Sequence, residues 1–573
     1  MPRQARRDGG EMEQARTQDA AAEEWPARAW GLAAAGAVIG SAAHALTDHA
    51  GSAGAARDAL YALATFLVVA GVAAAIVIER PRPARDLMFA AATGAVVALV
   101  TWWNLPLTSG SSPDIWRIVC AVLAGGIAVP LYQGWRGARV GADTGRLPYA
   151  AIHRHAWTDL ILSIGAVAFL AIAWLLAFLL AQLFALIGLR VIERLLRHGW
   201  FGWPLSGVAL GAAIGLLRER AAMLAAMQRV VTTILSVLAP VLATGLLLFL
   251  AALPFTGLAP LWQATSATTP ILLCCVAGAL ILINATIGDT PEDDPRAPVP
   301  RIAVMTLSGA ILPLAVVAAI STGARIAQHG LTPDRLWALV FTAIACAYGL
   351  AYAVALVRRR QRLAGDLRVA NLRLALAIAA GALFLATPLA AFDRLSAHDQ
   401  LARLESGRVA AAAFDWTAMR FDYGAPGIAA LRRLATRGMT AEIRTTATRT
   451  LARTTRYDLD HLTTPPKDRL TVLPRGAALP PRLYDRLSDI EACGPFDHCV
   501  VLIQPDPREV VIVNDAHITT WRDDGTRWRA VPAPRFVIDA RQRAALERGE
   551  AEVRTVERRQ LFIGGQPVGD PLP

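Results

Sequence analysis

Four short stretches carry residue types that could do chemistry. In "EACGPFDHCV", Cys493 and Cys499 stand in a C-x5-C arrangement. Such thiols can form a disulfide, join a metal site or act as a redox pair. The spacing is not the C-x-x-C of redox-active pairs. Zinc would need two more ligands; His498 could be one, but no second pair appears. A disulfide leads if the segment lies outside the cytoplasm, with reduced structural thiols and a metal or redox role as the alternatives. In "HGLTPDRLW", His329, Asp334 and Arg335 could bind a ligand or partner. The same stretch also reads as a helix start: Gly330 for the turn, Thr332 as cap, Pro333 in first position and Asp334 on the positive end of the dipole. In "NATIGDTPEDDPR", Asn284 lies inside an apolar run and the acids Asp289, Glu292, Asp293 and Asp294 follow it. An intramembrane polar group marks a cation or substrate vestibule unless it is satisfied by helix packing. In "HRHAWTD", His153 and His155 sit two apart, so they do not share a helix face. They read as loop, with Trp157 as an interface anchor.

Other chemistry is excluded. Lys467 is the only lysine, and no glycine-rich loop precedes it. P-loop ATP hydrolysis needs both. No G-x-S-x-G elbow occurs, and the acids after Asn284 lack the regular spacing and glycine of an EF-hand. No cofactor or metal is expected. The net charge of +12 is carried almost wholly by arginine, without a basic stripe interleaved with aromatics. Nucleic acid is therefore not an expected partner.

These stretches are positioned by long apolar runs. Of the 573 residues 55% are hydrophobic, and the mean hydropathy is +0.41. A hydrocarbon core of about 30 Å takes roughly 20 apolar residues as helix, and only helices or closed barrels satisfy their backbone there. The runs give eleven predicted spans: 29–46, 60–78, 87–105, 115–132, 158–180, 201–217, 230–253, 271–288, 302–322, 336–357 and 374–391. The fold class is a polytopic α-helical membrane protein with a C-terminal soluble α+β domain. Residues 1–28 form a polar tail, 29–148 the first four helices, 149–391 a seven-helix core and 392–573 the C-terminal domain. The run from Leu160 to Leu189 outreaches a bilayer, and "RVIERLLRHGWFGW" after it reads as an interfacial segment. Ala43 and Ala45 make an A-x-A pattern, but the acidic lead-in argues against cleavage there.

Arginines crowd alternate loops, with Arg190, Arg194, Arg197 and Arg325 as the main exceptions. The positive-inside rule then puts the N-terminus in the cytoplasm and, after eleven spans, the C-terminal domain outside. That domain opens with helical patterns and closes with strand patterns. "CVVLIQ" and "EVVIVND" flank a turn, "HITTWRDDGTRWRAV" is a hairpin candidate, and "AEVRTVERRQLFIGGQPVG" suggests another pair.

Three stretches together resemble a known family: "AWTDLILSIGAVAFLAIAWLLAFLLAQLFALIGL" from Ala156, "HGLTPDRLWAL" from His329, and "LSAHDQLARLESGRVAAAAFDWTAMRFDYGAPGIAAL" from Leu395. The resemblance is to bacterial multi-pass membrane proteins catalogued as domain of unknown function 4153. It covers about Tyr149 to Leu434 and implies a fold and a bacterial inner-membrane setting. It brings no activity, cofactor or catalytic residue.

Three functions are open on the sequence. The leading expectation is a non-enzymatic envelope scaffold or sensor, embedded in the lipid bilayer, whose outer domain binds an envelope protein partner. The second is a transporter or lipid flippase. The third is a membrane-embedded enzyme at the outer face using His329 or Asp334.

Overall fold

The structure is a computed structural model. It describes residues 27–50, 54–105, 115–138, 147–258, 267–358 and 362–453; beyond these it describes 456, 470–474, 477–480, 483, 499–504, 506, 508–513, 518–523, 528–531, 542, 545, 550, 559–563 and 566–572. The chain forms two compact units, divided between Ala452 and Arg453.

The first unit is helical. Its elements are α1 (Arg28–Asp48), α2 (Ala55–Val77), α3 (Pro83–Asn104), α4 (Ile115–Ala138), α5 (Tyr149–Leu186), a short α6 (Val191–Leu196), α7 (Gly199–Glu219), α8 (Ala221–Thr256), α9 (Thr268–Ile287), α10 (Pro298–His329), α11 (Pro333–Arg358) and α12 (Leu363–Ala386). Among the described residues, eleven of these helices are long and apolar enough to cross a membrane, all but α6. Each overlaps one predicted span. Large apolar side chains such as Ile164, Phe169, Leu175 and Phe178 of α5 stand exposed. In water this surface would be a liability; facing lipid it is satisfied.

The ends of the spans differ from the expectation. Helix α5 has 38 residues, roughly 57 Å at 1.5 Å per residue. It begins straight after Pro148, so "HRHAWTD" is helix and not loop. Nothing in that segment breaks a helix, and its polar side chains simply mark the turns beyond the apolar run. The interfacial segment is also shorter than expected. Helix α6 holds only six residues, and Trp200, Phe201 and Trp203 already belong to α7.

Glycines bring α1 and α7 into backbone contact. A Cβ on Gly36 would lie 2.0 Å from the Gly207 carbonyl oxygen, and one on Gly211 would lie 2.1 Å from that of Leu32. Small residues at four-residue spacing are how membrane helices approach closely without a hydrophobic driving force. A separate core joins α8 to α11 around Leu246, Val276, Ile283, Leu307, Ile311, Leu314 and Tyr352.

Four further helices finish the first unit: α13 (Phe392–Glu405), α14 (Trp416–Phe421), α15 (Gly424–Arg437) and α16 (Ala441–Ala452). They share a core of Leu401, Phe414, Met419, Leu431 and Leu434. The sequence places them in the 392–573 domain. Their contacts place them with the spans, because α13 is pinned there by charge. Arg117 of α4 pairs with Asp393 at 3.0 Å, and the α10–α11 turn is held by Asp399, Gln400 and Arg403.

The second unit holds the strands. A five-stranded sheet runs β1 (Leu470–Leu473), β2 (Cys499–Ile503), β3 (Glu509–Val513), β4 (Ile518–Asp523) and β5 (Trp528–Val531) in sequence order. The β1–β2 pair is parallel and the other pairs are antiparallel. Alternation sends Val501 of β2 to a core with Val510, Ile512 and Trp521, and Val500 and Leu502 to one with Leu473 and Val513. A hairpin joins β6 (Arg559–Ile563) and β7 (Gln566–Leu572). All three expected strand pairings form, while the Asp524-Gly525 turn lies outside the described residues.

Candidate functional site

Helix α9 carries two cavities of opposite character, one toward each end. At the Ile287 end, a polar cavity of about 410 Å³ is lined by His153, Arg154 and Trp157 of α5, Gln228, Thr232 and Ser236 of α8, and Asn284, Asp289 and Asp293. It joins two stretches that the sequence kept apart. The early start of α5 is what brings His153 and Arg154 to it. His153 Nδ1 lies 3.0 Å from the Tyr149 hydroxyl, Arg154 pairs with Asp289 at 3.2 Å, and the Thr158 hydroxyl donates to Gln228 Oε1 at 3.2 Å. Hydroxyls, amides and charges of both signs suit a polar or zwitterionic group better than a bare ion. Among the described residues no cluster of three or more His, Cys, Asp or Glu could hold a metal.

The acidic run beside this cavity is a built turn. Thr290 and Asp293 form a capping box, with Asp293 Oδ2 accepting from the Thr290 backbone N–H at 3.0 Å and its hydroxyl at 2.8 Å. Burial pushes the Asp293 pKa up, but these donors outweigh it and hold the carboxyl below its ordinary value. Arg368 of α12, nearly buried, clamps the turn by donating to the Thr290 carbonyl at 2.7 Å and to Asp294 Oδ1 at 2.6 Å. From sequence Arg368 is one more orienting arginine; only the fold shows its second use.

Toward the Thr268 end, an apolar cavity of about 580 Å³ is lined by Trp116 of α4, Leu273 and Leu280 of α9, and Asp334, Trp337, Phe341 and Tyr348 of α11. One layer of amides marks the boundary between the two. Leu280 lines the apolar cavity; Asn284, one turn on, lines the polar one. In step with them, Tyr348 lines the apolar cavity and Tyr352 follows one turn later. The fully buried Tyr352 donates its hydroxyl to Asn371 Oδ1 of α12 at 2.7 Å. Asn371 Nδ2 donates to Asn284 Oδ1 at 2.7 Å, and Asn284 Nδ2 to the Leu280 carbonyl at 2.8 Å. Asn284 was visible in the sequence as a polar break in an apolar run. Tyr352 and Asn371 carry no such signal, because equal depth on three helices has no signature in one chain.

His329, Asp334 and Arg335 do not converge on one ligand site. Gly330, at φ +76°, makes the turn, and a Cβ there would meet Asp399 Oδ2 at 2.5 Å. Thr332 caps α11 by accepting from the Arg335 backbone N–H at 3.4 Å. The Arg335 guanidinium donates to the carbonyls of His329 and Gly330 at 3.1 and 2.8 Å. Asp399 Oδ2 accepts from the Leu331 N–H at 2.7 Å, and Gln400 Nε2 donates to the His329 and Leu331 carbonyls at 2.9 and 3.0 Å. The second and third family-like stretches thus hold one another, leaving the His329 side chain exposed and Asp334 at the apolar cavity.

A second polar knot ties α2, α3 and α4. Asp86 is fully buried and accepts from the Glu79 N–H at 2.9 Å, the Tyr132 hydroxyl at 2.7 Å and Arg136 Nη1 at 2.8 Å. Arg136 also donates to the Val77 carbonyl at 2.8 Å and pairs with Glu79. Every charge in it is matched, so the knot binds helices together and offers no open ligand position.

In the second unit Cys499 opens β2 fully buried, and Cys493 lies outside the described residues. The four cysteines in spans are not in disulfides. Compared with known proteins, no protein family, curated protein or solved structure matches the chain.

Proposed function

We propose that the protein moves an amphiphilic molecule across the membrane, as a lipid flippase or a transporter. One observation carries the reading: a polar cavity and an apolar cavity lie toward opposite ends of α9, and a single amide–tyrosine layer bounds them. An amphiphile needs both surroundings, and a buried polar layer between packed helices can exchange partners as the helices shift. Without a P-loop, the substrate's own gradient or a coupled one supplies the driving force. The scaffold-or-sensor expectation drew on an outer domain of 392–573. With 392–452 tied to the spans through α13, that role falls to the strand unit alone.

The proposed setting is a bacterial inner membrane, in keeping with the family resemblance. The N-terminus and polar cavity face the cytoplasm; the apolar cavity opens on the outer half. The strand unit lies outside, stapled by a Cys493–Cys499 disulfide.

The test is translocation by the purified full-length protein in liposomes containing a phospholipid with a fluorescent acyl chain. Dithionite bleaches the exposed leaflet, and bleaching beyond that fraction reports movement. Protein vesicles are expected to bleach further than empty ones. Tyr352→Phe, which removes the hydroxyl bonded to Asn371, is expected to change the rate about fivefold, the worth of roughly 1 kcal/mol for one buried hydrogen bond. Equal bleaching with and without protein overturns the reading.

A further inference from the structure

We infer that the apolar cavity between α9 and α11 holds a lipid with an ammonium headgroup. This names a substrate class and so rests on the translocation reading above. Three features of the cavity set the chemistry, in order from its mouth inward.

The first is an unmatched carboxylate beside aromatic faces. Asp334 stands exposed in the first turn of α11 and lines the cavity. It has no ion-pair partner among the described residues. Arg335, next to it in sequence, is engaged on the His329 and Gly330 carbonyls, and Arg117 of α4 on Asp393. Three of the rings that line the same cavity stand together. Trp116 and Phe341 meet edge to face with centroids 5.1 Å apart, and Trp116 and Trp337 lie 6.0 Å apart at 34°. A carboxylate and several ring faces make a site for an ammonium group, which ring quadrupoles attract. The same carboxylate repels a fatty acid or an anionic headgroup.

The second is a stranded donor. Trp337 is 2% exposed, and its indole Nε1 has no hydrogen-bond partner among the described residues. An indole N–H can only donate, and leaving one buried without an acceptor is unfavourable. A ligand with an acceptor oxygen close behind its cation would satisfy this donor. The ester or phosphate oxygen of a lipid is such a group, and a simple alkylammonium lacks it.

The third is the depth of the cavity. Below Trp337 its lining turns to Leu273, Leu280 and the ring of Tyr348. From Asp334 to Tyr348 is roughly 21 Å along α11 at 1.5 Å per residue. Cation, acceptor and chain in that order describe a lipid with its head at the membrane surface.

The test is retention of lipid by the full-length protein. Protein stripped of lipid in detergent is mixed with equimolar phosphatidylethanolamine and phosphatidylglycerol of identical chains. After washing, the retained lipid is measured by mass spectrometry. The ammonium lipid should be enriched about fivefold, the yield of one partly exposed ion pair. Asp334→Asn should bring the ratio to parity. Trp337→Phe should lower retention of both lipids several-fold and keep the preference; where that variant misfolds, Phe341→Leu should weaken the preference instead. Parity in the unaltered protein, or a preference untouched by Asp334→Asn, overturns the inference. A preference without movement in liposomes keeps this site and removes the translocation reading; movement without preference does the reverse.

Discussion

Asp86 gives the clearest case of what one side chain can decide. It is enclosed with Arg136, and neither has water to fall back on. A buried pair adds little over a well-packed apolar pair, yet removing one partner leaves an uncompensated charge. Asp86→Leu should therefore cost about 3–5 kcal/mol of stability, read as a lower midpoint of thermal or denaturant unfolding of the purified protein. Adding Arg136→Met should recover most of that loss. If Asp86→Leu alone unfolds where the natural protein does, the knot is not what ties α2, α3 and α4. From sequence Asp86 looks like a flank of the orienting cluster of Arg80, Arg82 and Arg85. Its role comes from Tyr132 and Arg136, about fifty residues on.

At the scale of elements, the eleven spans were legible because a run of about 20 apolar residues has one stable solution in lipid. Their ends were not. Helices α5, α8 and α10 run on into polar turns, where hydropathy no longer reports helix. Half of the candidate site was hidden for the same reason, since it is built from those turns: His153 and Arg154 on α5, and Gln228 near the start of α8. Helix pairing was equally hidden. "GVALGAAIG" on α7 places Gly207, Gly211 and Gly215 along one stripe, and α1 answers with Gly36 and Gly40. A Cβ on Gly207 would sit 2.0 Å from the Gly36 carbonyl oxygen, whereas one on Gly31 would meet nothing within 4 Å. Gly207→Leu should thus destabilise the protein by about 1–3 kcal/mol or more, since backbone cannot give way as a side chain can. Gly31→Leu serves as the matched control and should leave the unfolding midpoint in place. Equal effects of the two substitutions would show that the α1–α7 approach does not depend on glycine.

For the whole molecule, the division between Ala452 and Arg453 changes which part the two distal cysteines belong to. The helices 392–452 have a core of their own and are tied to the spans by the Arg117–Asp393 pair and the hydrogen bonds on the α10–α11 turn. Only the strand unit is left as a separate body, and Cys499 is buried at the start of its second strand. That makes the pair Cys493–Cys499 a reporter of both topology and redox state. In the orientation proposed from the arginine placement the strand unit lies outside, where a disulfide would persist. Its stabilisation would be modest, because it closes a short loop. A membrane-impermeant maleimide applied to intact cells separates the two claims. With Cys120, Cys274, Cys275 and Cys346 replaced by alanine or serine, no label is expected until an impermeant reductant is added; Cys493 should then react, and the buried Cys499 only once the protein is unfolded. Labelling before reduction removes the disulfide and keeps the orientation. Labelling that requires permeabilised cells places the strand unit in the cytoplasm. In that case the two cavities exchange sides, and the lipid would enter from the inner leaflet.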